Sequence, residues 1–165
     1  GLIFFDIKYR KKISIFLLIT IIILAKIFGI PNFDKNIRYY QNFILYITGE
    51  KTTISYQSFF DRNTPIDYEI ARFIKPKLNK DDRIFVWGNN AQLYQLTNTP
   101  PITKYVVSYH ITNYKDGVSV MSSALEKMKP KFVVIMPNQK TIPYPLTNYS
   151  NKIKIGKADI YERVL

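Results

Sequence analysis

The sequence predicts one transmembrane helix followed by a small α/β domain with a short, partly parallel sheet flanked by helices. Residues 13–30 are apolar apart from two hydroxyl residues and Lys26, and as a helix they would span roughly 27 Å, close to bilayer thickness. Two short apolar runs, at residues 83–88 and 131–136, flank an amphipathic helical pattern, which is typical of parallel strands covered by helices. The alternating tail, residues 152–164, predicts an antiparallel strand or hairpin.

The composition limits the partners and the chemistry of the chain. Its 165 residues carry 24 Lys and Arg against 12 Asp and Glu, a formal net charge of +12. Such a balance suits nucleic acid, an anionic membrane surface, or the codon bias of an A/T-rich genome. Lysine outnumbers arginine, and beyond residues 8–12 the cations are scattered, so we expect no nucleic-acid partner. The lack of cysteine excludes disulfides, thiolate zinc sites and a cysteine nucleophile.

The chain opens on apolar residues 1–5 rather than on methionine, which suggests a truncated start. We interpret residues 1–12 as a cytoplasmic basic loop at the end of a preceding membrane segment, and residues 13–31 as the transmembrane helix. A buried soluble helix would not be apolar on every face, and a strand would be shorter. A signal peptide fits the basic start, but no small-x-small cleavage site follows.

The basic residues before the apolar run set its predicted orientation. Lys8, Arg10, Lys11 and Lys12 precede the run, whereas the residues after it carry mixed charges. Because cytoplasmic loops carry an excess of Lys and Arg, we expect the N-terminal side in the cytoplasm. This predicts a protein integral to the plasma membrane, with the lipid bilayer as a partner and residues 32–165 extracytoplasmic.

Residues 32–63 are predicted to form an interfacial helix and a linker. Tyrosines and isoleucines recur there at loosely helical spacing, and Gly49 is a plausible helix stop. Tyrosine suits the membrane interface, where one end of the ring is dry and the other is wet. Packing of these side chains against the following domain is an equally good explanation.

Residues 64–165 are predicted to form the extracytoplasmic α/β domain. Its first helix covers residues 64–75, with Thr64 as the cap and Pro65 at the first helical position. The apolar run at residues 83–88 then has the form of a buried strand that leads into a loop.

The rest of the domain continues the alternation of helix and strand. A short helix over residues 89–96, an extended piece at residues 105–107 and an amphipathic helix over residues 117–129 are predicted before the second strand. Because both strands are apolar throughout, they are expected to pair in parallel beneath covering helices. The tail adds the antiparallel strand or hairpin.

The motifs of common catalytic and metal sites are missing from the sequence. His110 is the single histidine and has no cysteine partner or HExxH neighbour. Asp61 and Asp67 lack the acidic cluster that Ca²⁺ or Mg²⁺ requires, and Gly88 stands alone rather than in a Gly-rich phosphate loop. We therefore expect no catalytic residue, no metal and no cofactor in this segment.

One group of side chains is a candidate binding site. The loop after the first strand lies at the carboxyl end of a parallel strand, where α/β sheets usually bind ligands. Trp87 and Tyr94 could stack on a sugar ring, and Asn89, Asn90 and Gln92 could bond its hydroxyls. The alternative is that Trp87 packs in the core and the asparagines shape a turn.

Four runs carry a resemblance to a known family. They are DRIFVWGNNAQLY at residues 82–94, TPPITKY at 99–105, KPKFVVI at 129–135 and DIYER at 159–163. Together they resemble the C-terminal outer domain of bacterial GT-C fold membrane glycosyltransferases, relatives of dolichyl-phosphate-mannose protein mannosyltransferases and lipid A aminoarabinose transferases. The likeness covers roughly residues 64–165, and the preceding span matches the last membrane helix of such proteins.

The resemblance implies an enzyme that transfers a sugar from a polyprenyl-phosphate carrier to a glycan or glycolipid acceptor on the outer face of the membrane. In that family the catalytic carboxylate lies in the first outer loop, and no position here matches it. This segment would then be an accessory domain beside the upstream membrane domain of the same protein, with the donor bound elsewhere. The alternative hypothesis is a single-span, membrane-anchored α/β binding module with no catalysis.

Overall fold

The computed structural model describes residues 7–29, 33–150 and 152–164. The chain divides into two compact units, Gly1–Phe59 and Phe60–Leu165. The predicted end of the apolar span at residues 30–31 and the first half of the predicted cytoplasmic loop, residues 1–6, lie outside the described residues.

The first unit is helical. It contains α1 (Ile7–Ile27), α2 (Phe33–Ile47) and α3 (Thr53–Ser58). The side chain of Thr52 caps α3 by accepting a hydrogen bond from the Ser55 N–H. Asn42 is buried on α2 and links the last two helices, because its Nδ2 donates to the Tyr56 carbonyl at 3.2 Å. Its Oδ1 accepts from Lys51 Nζ at 2.7 Å.

The prediction of a single transmembrane helix at residues 13–31 is not supported. No helix among the described residues is long and apolar enough to cross a membrane. Helix α1 begins before the basic cluster rather than after it, so its cations lie on the helix itself. The uncharged stretch between Lys12 and Lys26 is ~20 Å long at the helical rise per residue, against ~30 Å of bilayer hydrocarbon.

The second unit alternates helices and short strands. In chain order its helices and strands are α4 (Thr64–Ile74), a 3₁₀ turn (Lys75–Lys77), β1 (Ile84–Trp87), α5 (Gln92–Thr97), α6 (Ser108–Asn113), α7 (Gly117–Met128), β2 (Phe132–Ile135), β3 (Ile153–Ile155) and β4 (Ala158–Glu162).

The four strands form one mixed sheet in the order β1-β2-β4-β3. Strand β1 pairs in parallel with β2, with Ile84 opposite Phe132. Strand β4 is antiparallel to both β2 and β3. The predicted α/β class, with a partly parallel sheet and an antiparallel C-terminal hairpin, is therefore confirmed for this unit.

Side chains that alternate along the strands build a core on each face of the sheet. On one face Ile84 and Val86 pack with buried residues of α4 and α5. On the other face Phe85 and Trp87 pack with buried residues of α6 and α7. Because β1 is buried on both faces, its sequence is apolar throughout rather than alternating.

The stretch before α7 differs from its prediction. Residues 105–107 belong to no strand, although Val107 has the extended backbone that was predicted there, and the helix α6 that follows them was not predicted. The Ser108 N–H at the start of α6 donates to the Gly88 carbonyl at 2.9 Å. This bond joins two loops that are far apart in sequence, so no local periodicity records it.

Candidate functional site

The loops after β1 and β2 meet at one edge of the sheet, because the carboxyl ends of parallel neighbours lie side by side. Between these loops and the start of α4 lies an open pocket of about 500 Å³. Four carboxamide side chains that follow the two strands contribute to its wall, and they are Asn89, Asn90, Gln92 and Gln139. Asn63, Asp61 and Phe60 line the side nearest α4.

Asp67 lies on the first turn of α4, directly behind this wall. Its side chain is fully buried. Nδ2 of Asn90 lies 2.9 Å from both of its carboxylate oxygens, and Nε2 of Gln92 donates to Oδ2. Burial raises the pKa of the Asp67 carboxyl; the two carboxamide hydrogen bonds lower it in part, and the charge of Asp61 adds a smaller rise. The carboxylate is thus an internal acceptor that holds two residues of the pocket wall.

A second network holds the other two carboxamides. Oγ of Ser108 donates to Oε1 of Gln139 at 2.8 Å. Oδ1 of Asn89 accepts from the Tyr109 backbone N–H at 3.3 Å and lies 3.3 Å from the same serine oxygen. The N-terminal end of α6 therefore fixes Asn89 and Gln139 from behind, as Asp67 fixes the opposite pair.

The structure brings together three of the predicted site residues and separates the other two. Asn89, Asn90 and Gln92 line the pocket. Trp87 is only 1% exposed, and its indole N–H donates to the Lys140 carbonyl at 2.7 Å. Tyr94 is buried on the opposite face of the sheet, where its hydroxyl accepts from the Val86 N–H at 3.1 Å. Burial raises the pKa of Tyr94 to about 12. Both aromatic rings are core residues in this arrangement.

Residues 67–157 match the family described as "Putative competence-induced protein Ccs4 C-terminal domain". The match covers more than half of the chain. The chain belongs to this family. No curated protein and no solved structure matches it.

This membership corrects the resemblance to GT-C membrane glycosyltransferases, which was wrong. The runs that suggested it lie largely in β1, β2 and β4 and the turns beside them. Runs of this kind reflect the strands of a sheet and do not identify a reaction. The expectation of sugar transfer from a polyprenyl-phosphate carrier rested on that resemblance alone. It therefore no longer has support.

The Ccs4 C-terminal domain contains the four carboxamides that follow β1 and β2, together with the groups that hold them. The matched residues begin at Asp67 and include both loops at the sheet edge and α6. Asp61, Asn63 and Phe60 precede the matched residues. The pocket is therefore built mainly from the family domain, with one side supplied by the segment before it.

Among the residues of the site that were missed in the sequence, Asp67 is one whose position could have been recognised. Asp67 is in phase with Ile70 and Ile74, the buried stripe of α4, so it occupies a core position rather than a solvated first-turn position. An acidic residue in such a stripe predicts a buried carboxylate with partners. Ser108 and Gln139 left no comparable signal, because their contacts join residues 31 positions apart.

The Ccs4 domain shows no metal centre in the residues that the structure describes, since no three His, Asp or Glu side chains there are grouped closely enough to hold an ion. His110 lies on α6 between two tyrosine rings, with ring centroids 5.4 Å from Tyr109 and 5.9 Å from Tyr114. The pocket offers a ligand the carboxamides of its wall and, on the side nearest α4, the carboxylate of Asp61.

Proposed function

We propose that this Ccs4 C-terminal domain is a non-catalytic binding module whose pocket recognises a hydroxyl-rich ligand, such as a carbohydrate. The observation that carries the proposal is the convergence of Asn89, Asn90, Gln92 and Gln139 at the edge of the sheet. A carboxamide offers both donors and an acceptor, as a sugar hydroxyl does, and it carries no charge at any physiological pH. A pocket with this wall suits a neutral polar ligand better than an ion or an apolar molecule.

The position of Asp67 supports binding rather than catalysis. A general base must come within hydrogen-bond reach of the proton that it removes. Asp67 is fully buried, and its oxygens already accept hydrogen bonds from the two carboxamides that separate it from the pocket. Its contribution to a ligand is therefore indirect.

For the first unit we propose the lipid bilayer as the partner. Every large apolar side chain of residues 13–28 is at least 42% exposed, the highest being Phe28 at 78%. A monomeric protein in water rarely exposes so much contiguous apolar surface. Arg10, Lys11 and Lys12 are exposed beside it, as cations that attract anionic headgroups. As a separate part of the proposal, we place residues 32–165 at the outer face of the plasma membrane, where extracellular glycans or glycolipids are accessible.

The family's description gives the proposal a context. It names a competence-induced protein, and we extend that timing to this chain. A ligand present at the cell surface during competence is then the first choice for a binding partner.

A binding experiment on the full chain tests the pocket. We expect a glycan array to give a bound carbohydrate and Gln92→Ala to weaken its binding about tenfold, as loss of a hydrogen bond of about 1.4 kcal/mol would do. Isothermal titration calorimetry measures the change. Gln95→Ala is the matched control, because Gln95 is exposed on the same helix and lies outside this pocket.

Two results would contradict the proposal. One is an array without a bound carbohydrate. The other is equal binding by the Gln92→Ala and Gln95→Ala proteins. Asn89→Ala provides a second pocket variant, because Asn89 makes no contact with Asp67 and its loss leaves the buried carboxylate satisfied.

A further inference from the structure

We infer that Asp67 is a positioning residue that turns the carboxamides of Asn90 and Gln92 so that both present their oxygens to the pocket. One wall of the pocket then consists of hydrogen-bond acceptors. The effect on ligand choice rests on the proposed function, whereas the orientation of the two side chains stands on the geometry alone.

The orientation follows from what a carboxylate can do. An ionised carboxyl group only accepts hydrogen bonds, so a carboxamide beside it must direct its NH₂ group inward. Asn90 does so at 2.9 Å from each oxygen, and Gln92 does so at Oδ2. Because the amide is planar, its oxygen points away from the nitrogen's partner. Among the described residues neither amide oxygen accepts a hydrogen bond from the protein.

The second pair of carboxamides, Asn89 and Gln139, forms a wall of the reverse polarity. Oδ1 of Asn89 accepts from the Tyr109 N–H, and Oε1 of Gln139 accepts from Ser108 Oγ. Their NH₂ groups are therefore the parts left to donate to a ligand. A hydroxyl donates one hydrogen bond and accepts others, so a ligand with neighbouring hydroxyls can donate to the first wall and accept from the second. This arrangement favours a sugar diol over a ligand that can only accept hydrogen bonds.

A carboxylate is the group that can impose this polarity. An asparagine at position 67 would carry a donor and an acceptor, so either neighbouring carboxamide could reverse and still find a partner. Asp67 is buried, and burying a carboxylate without hydrogen bonds costs far more free energy than burying one that is paired. Its two carboxamide donors offset most of that cost, and the same hydrogen bonds fix the orientation of the two carboxamides.

Nuclear magnetic resonance of the full chain in detergent micelles tests the orientation without any ligand. The probes are the side-chain NH₂ resonances of Asn90 and Gln92 and the carboxyl carbon of Asp67. We expect all three to shift with a single common midpoint as the pH is varied. Asp67→Asn should abolish the shift of both NH₂ groups, whereas Asp116→Asn, a control outside the pocket, should leave it unchanged. Should the two NH₂ groups fail to follow the Asp67 carboxyl in the wild-type protein, the inference is overturned, whether or not the variant folds.

Glucose and its monodeoxyfluoro analogues test the ligand preference by calorimetry, because fluorine replaces a hydroxyl but cannot donate. We expect at least one analogue to bind the wild-type protein tenfold more weakly than glucose does. In Asp67→Asn that ratio should fall below about threefold, since one wall can then supply NH₂ groups. An unchanged ratio in a folded variant overturns the preference.

The two failures are distinguishable. If the NH₂ groups follow Asp67 but neither glucose nor any other glycan binds, the proposed function fails and the positioning role survives. If a glycan binds and the NH₂ groups ignore Asp67, the pocket is a carbohydrate site whose polarity has another cause.

Discussion

At the scale of single residues, Asp67 couples the stability of the second unit to pH. Burial raises its pKa in the folded chain above the unfolded value of about 3.9. Between these two pKa values the folded state binds more protons than the unfolded state. This residue's contribution to the free energy of unfolding therefore falls as pH rises from about 4 through the raised pKa, and it is constant above that.

Asp67→Asn should remove this dependence. We expect the difference in unfolding free energy, variant minus wild type, to shift in favour of the variant as pH rises through that window and then to level off. Urea unfolding followed by the fluorescence of Trp87, the single tryptophan and a buried one, measures it. A difference that is the same at every pH would show that Asp67 is not perturbed.

Asp116 provides a control of opposite sign. Hydrogen bonds from Lys104 and Tyr105 lower the pKa of its carboxyl. Its contribution is therefore present above the unfolded pKa and is lost as pH falls through the lower folded value. An Asp116→Asn protein should lose stability relative to wild type as the pH rises through that range, whereas Asp67→Asn should gain it.

At the scale of helices and strands, the residues that could be predicted are those whose burial follows a local period. The stripe on α4, the stripe on α7 and the apolar run of β2 each repeat at the spacing of their own structure, so their existence and the parallel pairing were predicted correctly. The same logic placed Asn89 and Asn90 at the carboxyl end of a strand.

The remaining features depend on contacts that no local period contains. Asp67 and Asn90 are 23 positions apart, and only the packing of α4 beside the first strand brings them together. Trp87 was a candidate for ligand stacking because it lies at the end of the first strand, beside the predicted site. Its indole N–H instead donates to the Lys140 carbonyl, 53 positions later in the chain, and no local pattern records that contact. Helix α6 is six residues long and has no apolar stripe from which it could have been predicted.

The corner between α6 and α7 depends on the absence of a side chain at Gly117. A Cβ atom there would lie 2.1 Å from the Ile111 carbonyl oxygen, which is backbone and cannot rotate away. We expect Gly117→Ala to lower the free energy of unfolding by about 1–3 kcal/mol, because the two helices must separate. Ser123→Ala, an exposed site on the same helix, should change it by less than about 0.5 kcal/mol. Urea unfolding compares them, and equal values for the two variants would contradict this account of the corner.

At the scale of the whole molecule, the two units divide the proposed roles. The second unit buries its apolar side chains in two cores around a sheet, whereas α1 in the first unit leaves its apolar side chains exposed. Moving one Leu or Ile side chain from water into an apolar medium is favourable by about 1.5–3 kcal/mol. Several such side chains on one helix are enough to hold a protein at a membrane, and the cations beside them add roughly 1 kcal/mol each near an anionic surface.

Vesicle flotation of the full chain separates these two contributions. We expect the wild-type protein to float with vesicles of mixed phosphatidylcholine and phosphatidylglycerol. Replacing Arg10, Lys11 and Lys12 by serine should weaken this binding on the order of a hundredfold, since about 3 kcal/mol of attraction is lost, and should barely affect binding to pure phosphatidylcholine. Leu18→Asn combined with Ile22→Asn should weaken binding to both vesicle types, because buried apolar area does not depend on lipid charge. If the wild-type protein stays with the aqueous fraction, or if only the serine variant loses binding, the apolar surface of α1 does not bind the bilayer and this part of the proposal is wrong.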